Sequence, residues 1–218
     1  QFHQAGIEFF GSSSPQVDLL VILSAYDVFT ALGIKNLEIN INSVGCGKCR
    51  PGFLEKLKIF VKNRINEICP DCKTRSEKNL LRILDCKEQI CRNIFAQAPL
   101  MNEYLCEECR THLNYVSDYL KRLGISLKTN NNLVRGLDYY TGTIFEIVSE
   151  DLGSQNAICG GGRYDNLVEE LGGSKIPAMG MAIGIERLVD VLKSQNIVPD
   201  SKKPLDLFIA VLGKEAAE

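Results

Sequence analysis

The sequence has no long apolar run, no initiator methionine and only two histidines. None of its segments approaches the roughly 18 apolar residues of a membrane-spanning helix. No charged start followed by an apolar run and a cleavage site opens the chain, so we expect no targeting to a membrane or to export. We interpret His3 as structural and His112, which lacks metal-ligand spacing, as a surface residue. Both ends resemble cuts through a longer protein, and we expect the chain to be part of one.

The chain also lacks a strong net charge, because 25 Lys and Arg oppose 27 Asp and Glu. The chain as a whole is therefore not built to bind nucleic acid by charge alone. Residues 48–92 differ, with twelve basic and six acidic residues, a local charge of +6 that leaves −8 elsewhere. Such asymmetry suits contact with phosphate. The alternatives are an ordinary solvated surface and partial neutralisation by metal-bound thiolates.

Apolar periodicity predicts an α+β fold in which an antiparallel sheet is flanked by helices. The sequence shows no internal repeat and no low-complexity segment. A composition shift at Ser43 and a return to strands at Ile125 predict a core formed by residues 1–42 and 125–198. Residues 43–124 then form a mainly helical, Cys-rich insert, and residues 199–218 begin as a linker. The core elements predicted are helices over 17–32 and 185–193, a helix starting near 165, and strands over 37–41, 133–140, 143–148, 157–160 and 178–183.

Eight of the nine cysteines form four close pairs in the insert: Cys46/Cys49, Cys69/Cys72, Cys86/Cys91 and Cys106/Cys109. Without an export signal, tetrahedral thiolate zinc is favoured over disulfides. A redox CxxC is disfavoured because no pair has a thioredoxin-like context. Inert packing of the thiols is the remaining alternative.

Helix geometry restricts which pairs can share a metal. A helix of about 17 residues from Pro51, about 25 Å long, separates the first two pairs, and zinc holds sulfur at about 2.3 Å. A return helix over 102–123 places its first residues far from the core. We therefore predict a distal site and a second site, both structural because four sulfurs leave no open position. The first comprises Cys69, Cys72, Cys106 and Cys109, and the second Cys46, Cys49, Cys86 and Cys91.

Residues 133–146 read LVRGLDYYTGTIFE. An arginine among apolar residues is costly to bury without an acidic or anionic partner. Arg135 therefore pairs with a structural acid such as Asp138, or binds a phosphate or carboxylate of a ligand. Tyr139 and Tyr140 are either core aromatics or hydroxyl donors to a polar ligand.

Two further motifs contain glycine beside arginine. Gly160, Gly161 and Gly162, in CGGGRYD, form either a tight turn or a backbone that a ligand approaches closely. The Rossmann fingerprint is absent. GMAIGIERL, residues 180–188, is a strand entering a helix, whose start attracts anions while Arg187 stacks on a base or pairs with a nearby acid. The residues by themselves predict only a pocket for an anionic or phosphorylated ligand.

Together these segments resemble the histidyl-tRNA synthetases, which are class II aminoacyl-tRNA synthetases. QFHQAGIEFFG, residues 1–11, resembles the second half of class motif 2, and residues 180–188 resemble class motif 3. LVRGLDYYTGTIFE and CGGGRYD resemble the two histidine motifs of the family. Residues 43–45, 80–87 and 98–99 resemble the insertion domain of the bacterial enzymes, and residues 205–212 resemble the first strand of the anticodon-binding domain.

The resemblance implies a class II synthetase-like, six-stranded antiparallel sheet and a cytoplasmic, homodimeric histidine-tRNA ligase that uses ATP with Mg. In this reaction the carboxylate of L-histidine attacks the α-phosphate of ATP, and the histidyl group then passes to tRNA(His). Class motif 1, the first half of motif 2 and most of the anticodon-binding domain lack counterparts here. We therefore expect this chain alone to be inactive or nearly so.

The resemblance also implies roles for individual residues. Gln4 would bind the α-amino group of histidine, and Glu8 and Tyr140 would each contact one imidazole nitrogen, while Tyr139 shapes the pocket. Catalytic Arg135 would bind the carboxylate and the α-phosphate. Phe2 and Arg187 would clamp the two faces of adenine. Gly160, Gly161 and Gly162 would let the backbone approach the substrate.

Two other classes of protein compete with this interpretation. One is the synthetase-like regulatory subunit of ATP phosphoribosyltransferase, which is expected to lack both the insert and the Arg135 motif. The other is a module that binds zinc and nucleic acid. If the synthetase interpretation is right, the basic insert should lie over the acceptor arm of the tRNA.

Overall fold

The computed structural model describes residues 1–153 and 156–197, which build one six-stranded sheet flanked by helices. The strands are β1 Gln4–Phe10, β2 Leu37–Ser43, β3 Leu127–Thr129, β4 Thr143–Ser149, β5 Ala157–Arg163 and β6 Ala178–Gly184. The helices are α1 Pro15–Ala31, α2 Arg50–Lys62, α3 Pro70–Lys78, α4 Gln89–Phe95, α5 Met101–Tyr104, α6 Glu107–Arg122, α7 Leu167–Glu170 and α8 Ile185–Ser194. Short 3-10 turns cover Leu80–Ile83 and Glu150–Leu152.

The strand order in the sheet is β1-β6-β5-β4-β2-β3. Neighbouring strands run antiparallel except β2 and β3, which are parallel. The predicted α+β fold is confirmed, but the sheet is mixed and not purely antiparallel. The physical reason is the return path, because a crossover helix joins β2 to β3, and such a connection brings the chain back in the same direction.

The core lies between α1 and one face of the sheet. Every second residue of a strand projects to that face, and Ile39, Ile41 and Phe145 are fully buried there. Helix α1 begins at Pro15, two residues before the predicted start, since the side chain of Ser14 accepts from the backbone N–H of Gln16 and Pro15 occupies the first turn. This packing leaves the opposite face of the sheet open to the insert and to solvent.

The insert differs from the sequence prediction in its last helix. The return helix is interrupted between α5 and α6, and α6 packs against α1, β2 and β3 along its length. Helix α6 is thus the crossover that covers the sheet, and its first residues lie beside the end of β2. The boundaries predicted for the insert, 43–124, and for the core remain predictions.

The strand predicted over residues 133–140 is wrong, because this segment is a loop between β3 and β4. The side chain of Asn130 accepts from the backbone N–H of Asn132 (3.1 Å), and the Asn130 carbonyl accepts from that of Leu133 (2.9 Å). This turn ends β3. Pairing resumes only after Gly142, whose φ of 61° suits glycine.

A buried charge network joins three elements behind the sheet. Asp18 of α1 is fully buried and lies 2.7 Å from the guanidinium of Arg163 on β5 and 2.7 Å from the imidazole of His112 on α6. The surface position predicted for His112 is therefore wrong, since its side chain is 20% exposed. A residue on a polar helix face became partly buried because α6 packs on the core.

No described helix combines the length and apolar character that crossing a bilayer requires. The segment predicted as a linker and first strand of a further domain, residues 199–218, lies outside the described residues.

Candidate active site and cysteine clusters

The open face of the sheet has a floor almost without side chains. Residues paired across neighbouring strands project to the same face. Gly180 pairs with Glu8 on one side and Gly162 on the other, while Ala182 pairs with Gly6 and Gly160. Four of these residues are glycines without a side chain, and Ala182 contributes only a methyl group. This floor allows a ligand to approach the backbone between β1 and β4.

Arg135 lies on this floor, directly above Gly160. Its Nη1 donates to Oε1 of Glu146 (2.7 Å), and any Cβ at Gly160 would collide with the guanidinium. The acid that pairs with Arg135 is thus Glu146, whereas Asp138, suggested by the sequence, accepts from the side chain of Asn79. The sequence analysis did not identify Glu146. Strand alternation places its side chain on the same face as that of Ile144, and Glu146 is paired with Gly160 on the neighbouring strand.

The electrostatic environment of Arg135 favours an anionic ligand. Burial raises the pKa of Glu146, and the nearby guanidinium only partly opposes that shift. The Nε of Arg135 is buried and has no hydrogen-bond partner among the described residues. Since a guanidinium carries five donors in a planar fork, Arg135 keeps capacity to bind a carboxylate or phosphate.

Glu8 and three tyrosines, Tyr139, Tyr140 and Tyr164, form a wall beside the floor. The hydroxyl of Tyr164 donates to Glu8, whose carboxylate lies over Gly180. The ring of Tyr139 lies 4.6 Å from that of Tyr140 and 5.7 Å from that of Tyr164, centroid to centroid. Burial raises the pKa of the Tyr139 and Tyr164 hydroxyls, which therefore remain protonated donors. Tyr164 was not singled out from the sequence, although it is part of CGGGRYD.

Glu8, Arg135 and Tyr140 converge on this one surface. A Cβ at Gly162 would lie 2.9 Å from Cδ1 of Tyr140, and the guanidinium of Arg135 lies 5.9 Å from the Tyr140 ring centroid. The three side chains thus stand above neighbouring glycines of one floor. Gly161 has the opposite parity, and a Cβ there would collide with Met181 and the Gly180 carbonyl. Its absent side chain therefore permits strand packing and not ligand approach.

An open cleft of about 420 Å³ continues from Arg135 toward β1 and α8. Phe2, Gln4 and Arg187 line it together with Gly160. Phe2 is 73% exposed, which leaves its ring available for stacking, and Nη1 of Arg187 donates to the Ala157 carbonyl (2.8 Å). The acid beside Arg187 in sequence, Glu186, pairs instead with His3 (2.7 Å).

The eight cysteines of the insert form two groups, and within each group all four sulfurs lie within 4.8 Å of one another. We call them the proximal cluster, Cys46, Cys49, Cys106 and Cys109, and the distal cluster, Cys69, Cys72, Cys86 and Cys91. The predicted grouping, which joined Cys106 and Cys109 to Cys69 and Cys72, is wrong. It assumed that α6 starts far from the core, whereas α6 lies on the core and starts beside β2. The separation of Cys46/Cys49 from Cys69/Cys72 is confirmed.

The proximal sulfurs differ in how readily they ionise. Burial opposes ionisation of Cys46, but the backbone N–H groups of Lys48 and Cys49 donate to its sulfur and lower the pKa to about 7. Burial raises the pKa of Cys109, and burial likewise raises that of Cys72 in the distal cluster. A bound cation would deprotonate all four thiols of a cluster. Either cluster could hold a metal.

Comparisons with known proteins agree with this geometry. The family model described as histidyl-tRNA synthetase matches residues 64–188. The histidine–tRNA ligase of Caldicellulosiruptor saccharolyticus is 47% identical over 218 residues, which are 100% of this chain and 52% of that protein. The crystal structure of apo S. aureus histidyl-tRNA synthetase matches with a TM-score of 0.75 and 36% identity, covering 100% of this chain and 53% of that one.

A second solved structure shows the fold alone. It is described as an ATP phosphoribosyltransferase regulatory subunit/histidyl-tRNA synthetase from Bacillus halodurans C, with a TM-score of 0.58, 22% identity, and coverage of 88% of this chain and 53% of that one. The chain spans about half the length of the curated relatives it matches. Because the family model covers more than half of the chain and a relative matches it throughout, the chain belongs to the histidyl-tRNA synthetase family.

Proposed function

We propose that the protein of which this chain forms part is a histidine-tRNA ligase. It activates L-histidine with ATP to histidyl-adenylate and transfers the histidyl group to tRNA(His). The observation that carries the proposal is the convergence of Glu8, Arg135 and Tyr140 above the glycine floor, next to the cleft that Phe2 and Arg187 line.

Recognition of histidine follows from the wall formed by Glu8 and Tyr140. A neutral imidazole carries one N–H donor and one acceptor nitrogen. Glu8, held by the Tyr164 hydroxyl, would accept from the N–H, and the Tyr140 hydroxyl would donate to the other nitrogen. Gln4, in the adjacent cleft, would bind the α-amino group. An apolar side chain of the same shape would leave these groups unpaired, which is how a polar pocket rejects it.

Activation depends on Arg135. Its guanidinium, anchored by Glu146, would bind the histidine carboxylate and the α-phosphate as negative charge develops during attack. Phe2 and Arg187 would stack on the two faces of adenine. Mg²⁺ bound with ATP would neutralise phosphate charge. Gly160 and Gly162 leave the space in which Arg135 and Tyr140 lie close to the sheet backbone.

The same proposal includes partners and location. The tRNA acceptor arm would meet the basic insert, the intact enzyme would act as a homodimer, and the reaction belongs to protein synthesis in the cytoplasm. We also propose that the cysteine clusters bind structural zinc.

The test is histidine-dependent exchange of pyrophosphate into ATP by the intact protein. Arg135→Ala should lower kcat by about 10² to 10³, the loss typical of removing one group that stabilises developing charge. Arg122→Ala, which removes an exposed arginine from the last turn of α6, is the matched control and should leave exchange unchanged. Normal exchange by Arg135→Ala would refute the assignment, and histidine binding without exchange by the unaltered intact protein would favour a regulatory subunit.

A further inference from the structure

The sulfur positions match a single tetrahedral ion in each cluster. Four ligands placed tetrahedrally about 2.3 Å from a zinc ion lie roughly 3.8 Å from one another. In the proximal cluster Cys46 lies 3.7 Å from Cys49 and 3.8 Å from Cys106, and Cys49 lies 3.9 Å from Cys109, sulfur to sulfur. In the distal cluster Cys69 lies 3.8 Å from Cys86. Disulfides would bring pairs of sulfurs to about 2.05 Å and would not gather four.

The backbone around the proximal cluster is arranged for thiolate ligands. The N–H of Lys48 donates to the sulfur of Cys46 (3.4 Å), and that of Cys46 donates to the sulfur of Cys49 (3.2 Å). Cys106 is the N-cap residue of α6, where the helix dipole favours negative charge. The four sulfurs come from two turns 60 residues apart, one leaving β2 and one opening α6.

Arg50 connects this cluster to the histidine pocket. It follows Cys49 directly, and its backbone N–H donates to the Cys46 carbonyl (2.9 Å). Its guanidinium is partly buried and donates to the carbonyls of Val44 (2.8 Å), Gly45 (3.0 Å) and Tyr140. One side chain, fixed at its base by the cysteine turn, therefore holds the carbonyl of a pocket residue.

Backbone hydrogen bonds strengthen this connection. The N–H of Val44 donates to the Gly142 carbonyl (2.9 Å), and the N–H of Gly142 donates to the Gly45 carbonyl (3.1 Å). These bonds extend the β2–β4 ladder up to the cysteine turn. The loop that bears Tyr139 and Tyr140 is thus held to the segment around Cys46 in two ways. Backbone hydrogen bonds join Gly142 to Val44 and Gly45, and the Arg50 side chain donates to the Tyr140 carbonyl.

We propose that each cluster binds one structural zinc ion, and that the proximal ion sets the affinity for histidine through Arg50. Zinc joins the turn after β2 to the start of α6, which is packed on the core, and so holds Arg50 against the Tyr140 carbonyl. Loss of the proximal ion releases the turn, and Tyr140 loses its position. The distal ion organises the insert, and the described hydrogen bond from its side of the insert to the pocket loop, from Asn79 to Asp138, does not hold the Tyr140 carbonyl. Arg50 is a positioning residue, and its role rests on the proposed function.

Zinc content of the intact protein tests the two sites independently of activity. Relative to the unaltered protein, C46S/C106S should lose one zinc ion per chain, C69S/C86S one, and C46S/C86S two. A loss of only one by C46S/C86S would overturn the grouping. Unchanged zinc content in all three variants, or iron in place of zinc, would overturn the metal assignment.

Steady-state pyrophosphate exchange tests the link to the pocket. C106S should raise the histidine KM by about tenfold with a smaller change in kcat, because misplacing a pocket group by a fraction of an ångström weakens binding. C106H, which retains a zinc ligand, should restore both zinc and KM. Arg50→Met should keep both ions, fold normally by circular dichroism and raise KM similarly.

The distal variant C69S is the matched control and should leave the histidine KM within about twofold, since the hydrogen bond that joins its side of the insert to the pocket loop, from Asn79, ends at Asp138 and not at Tyr140. An equal rise in C69S and C106S, or a normal KM in Arg50→Met, would overturn the role of the proximal ion. Absence of exchange in the unaltered protein would instead refute the proposed function and leave the zinc counts standing.

Discussion

The absence of a Cβ at each glycine of the floor decides which side chains and ligands the pocket can hold. A Cβ at Gly180 would occupy the position of the Glu8 carboxylate. Gly180→Ala should therefore displace Glu8 and break its hydrogen bond from Tyr164. In the intact protein we expect the histidine KM to rise by about 10², the scale of a misplaced binding group. Steady-state pyrophosphate exchange measures it.

A glycine elsewhere supplies the control for that change. Gly52 lies in α2, where an added Cβ meets nothing within 4 Å. Gly52→Ala should leave the histidine KM unchanged and should not destabilise the helix, because alanine favours helix more than glycine does. A normal KM in Gly180→Ala would show that Glu8 does not contact the substrate.

At the scale of elements, the charge network of Asp18, Arg163 and His112 holds α1, β5 and α6 together. Removing Asp18 deprives the buried guanidinium of Arg163 of part of its charge compensation. Asp18→Asn should therefore lower the free energy of unfolding by about 1.5–3 kcal/mol, because Arg163 is only 2% exposed and would keep a single carboxylate partner, Asp165 (3.1 Å). Urea unfolding followed by circular dichroism measures the change.

An exposed ion pair on α6 provides the comparison. Asp118 and Lys121 lie 4.0 Å apart, with side chains 63% and 62% exposed. Asp118→Asn should change the free energy of unfolding by no more than about 1 kcal/mol, as is usual for surface pairs. A similar loss in both variants would mean that the buried network contributes nothing specific.

At the scale of the whole molecule, charge is unevenly distributed, and the basic insert is proposed to meet the tRNA acceptor arm. Lys58, Lys62 and Lys73 are all exposed, on α2 and α3. Changing the three to Glu should raise the tRNA KM by at least about tenfold at low salt, with a reduced salt dependence, because contacts to phosphate release counterions. Aminoacylation of tRNA(His) by the intact protein measures it.

The same charge change made elsewhere separates local contact from overall charge. Lys35, Lys175 and Lys193 are also exposed but lie outside the insert. Their change to Glu should leave the tRNA KM nearly normal, and histidine-dependent exchange should be unaffected in both triple variants. Equal effects on tRNA in the two variants would remove the insert from the proposed interface.

Local patterns in the amino-acid sequence were enough to predict α1, β2, β4, β5, β6 and α8, because strand alternation and helical spacing depend on residues close in the chain. They also predicted the cysteine turns as metal-ligand candidates, since CxxC spacing is local, and the motifs that resemble the synthetase family. The roles of Gln4, Glu8, Tyr140 and the other site residues remain predictions. Their convergence on one surface agrees with those roles.

Pairings between distant segments emerged only from the folded chain. Glu146 replaces Asp138 as the partner of Arg135, Tyr164 holds Glu8, and His112 is partly buried against Asp18. The cysteine pairs combine differently from the prediction because α6 lies along the sheet and opens beside β2. Short-range patterns encode which face a residue takes, but the partner it meets there depends on how whole elements pack, and that packing is a property of the entire core.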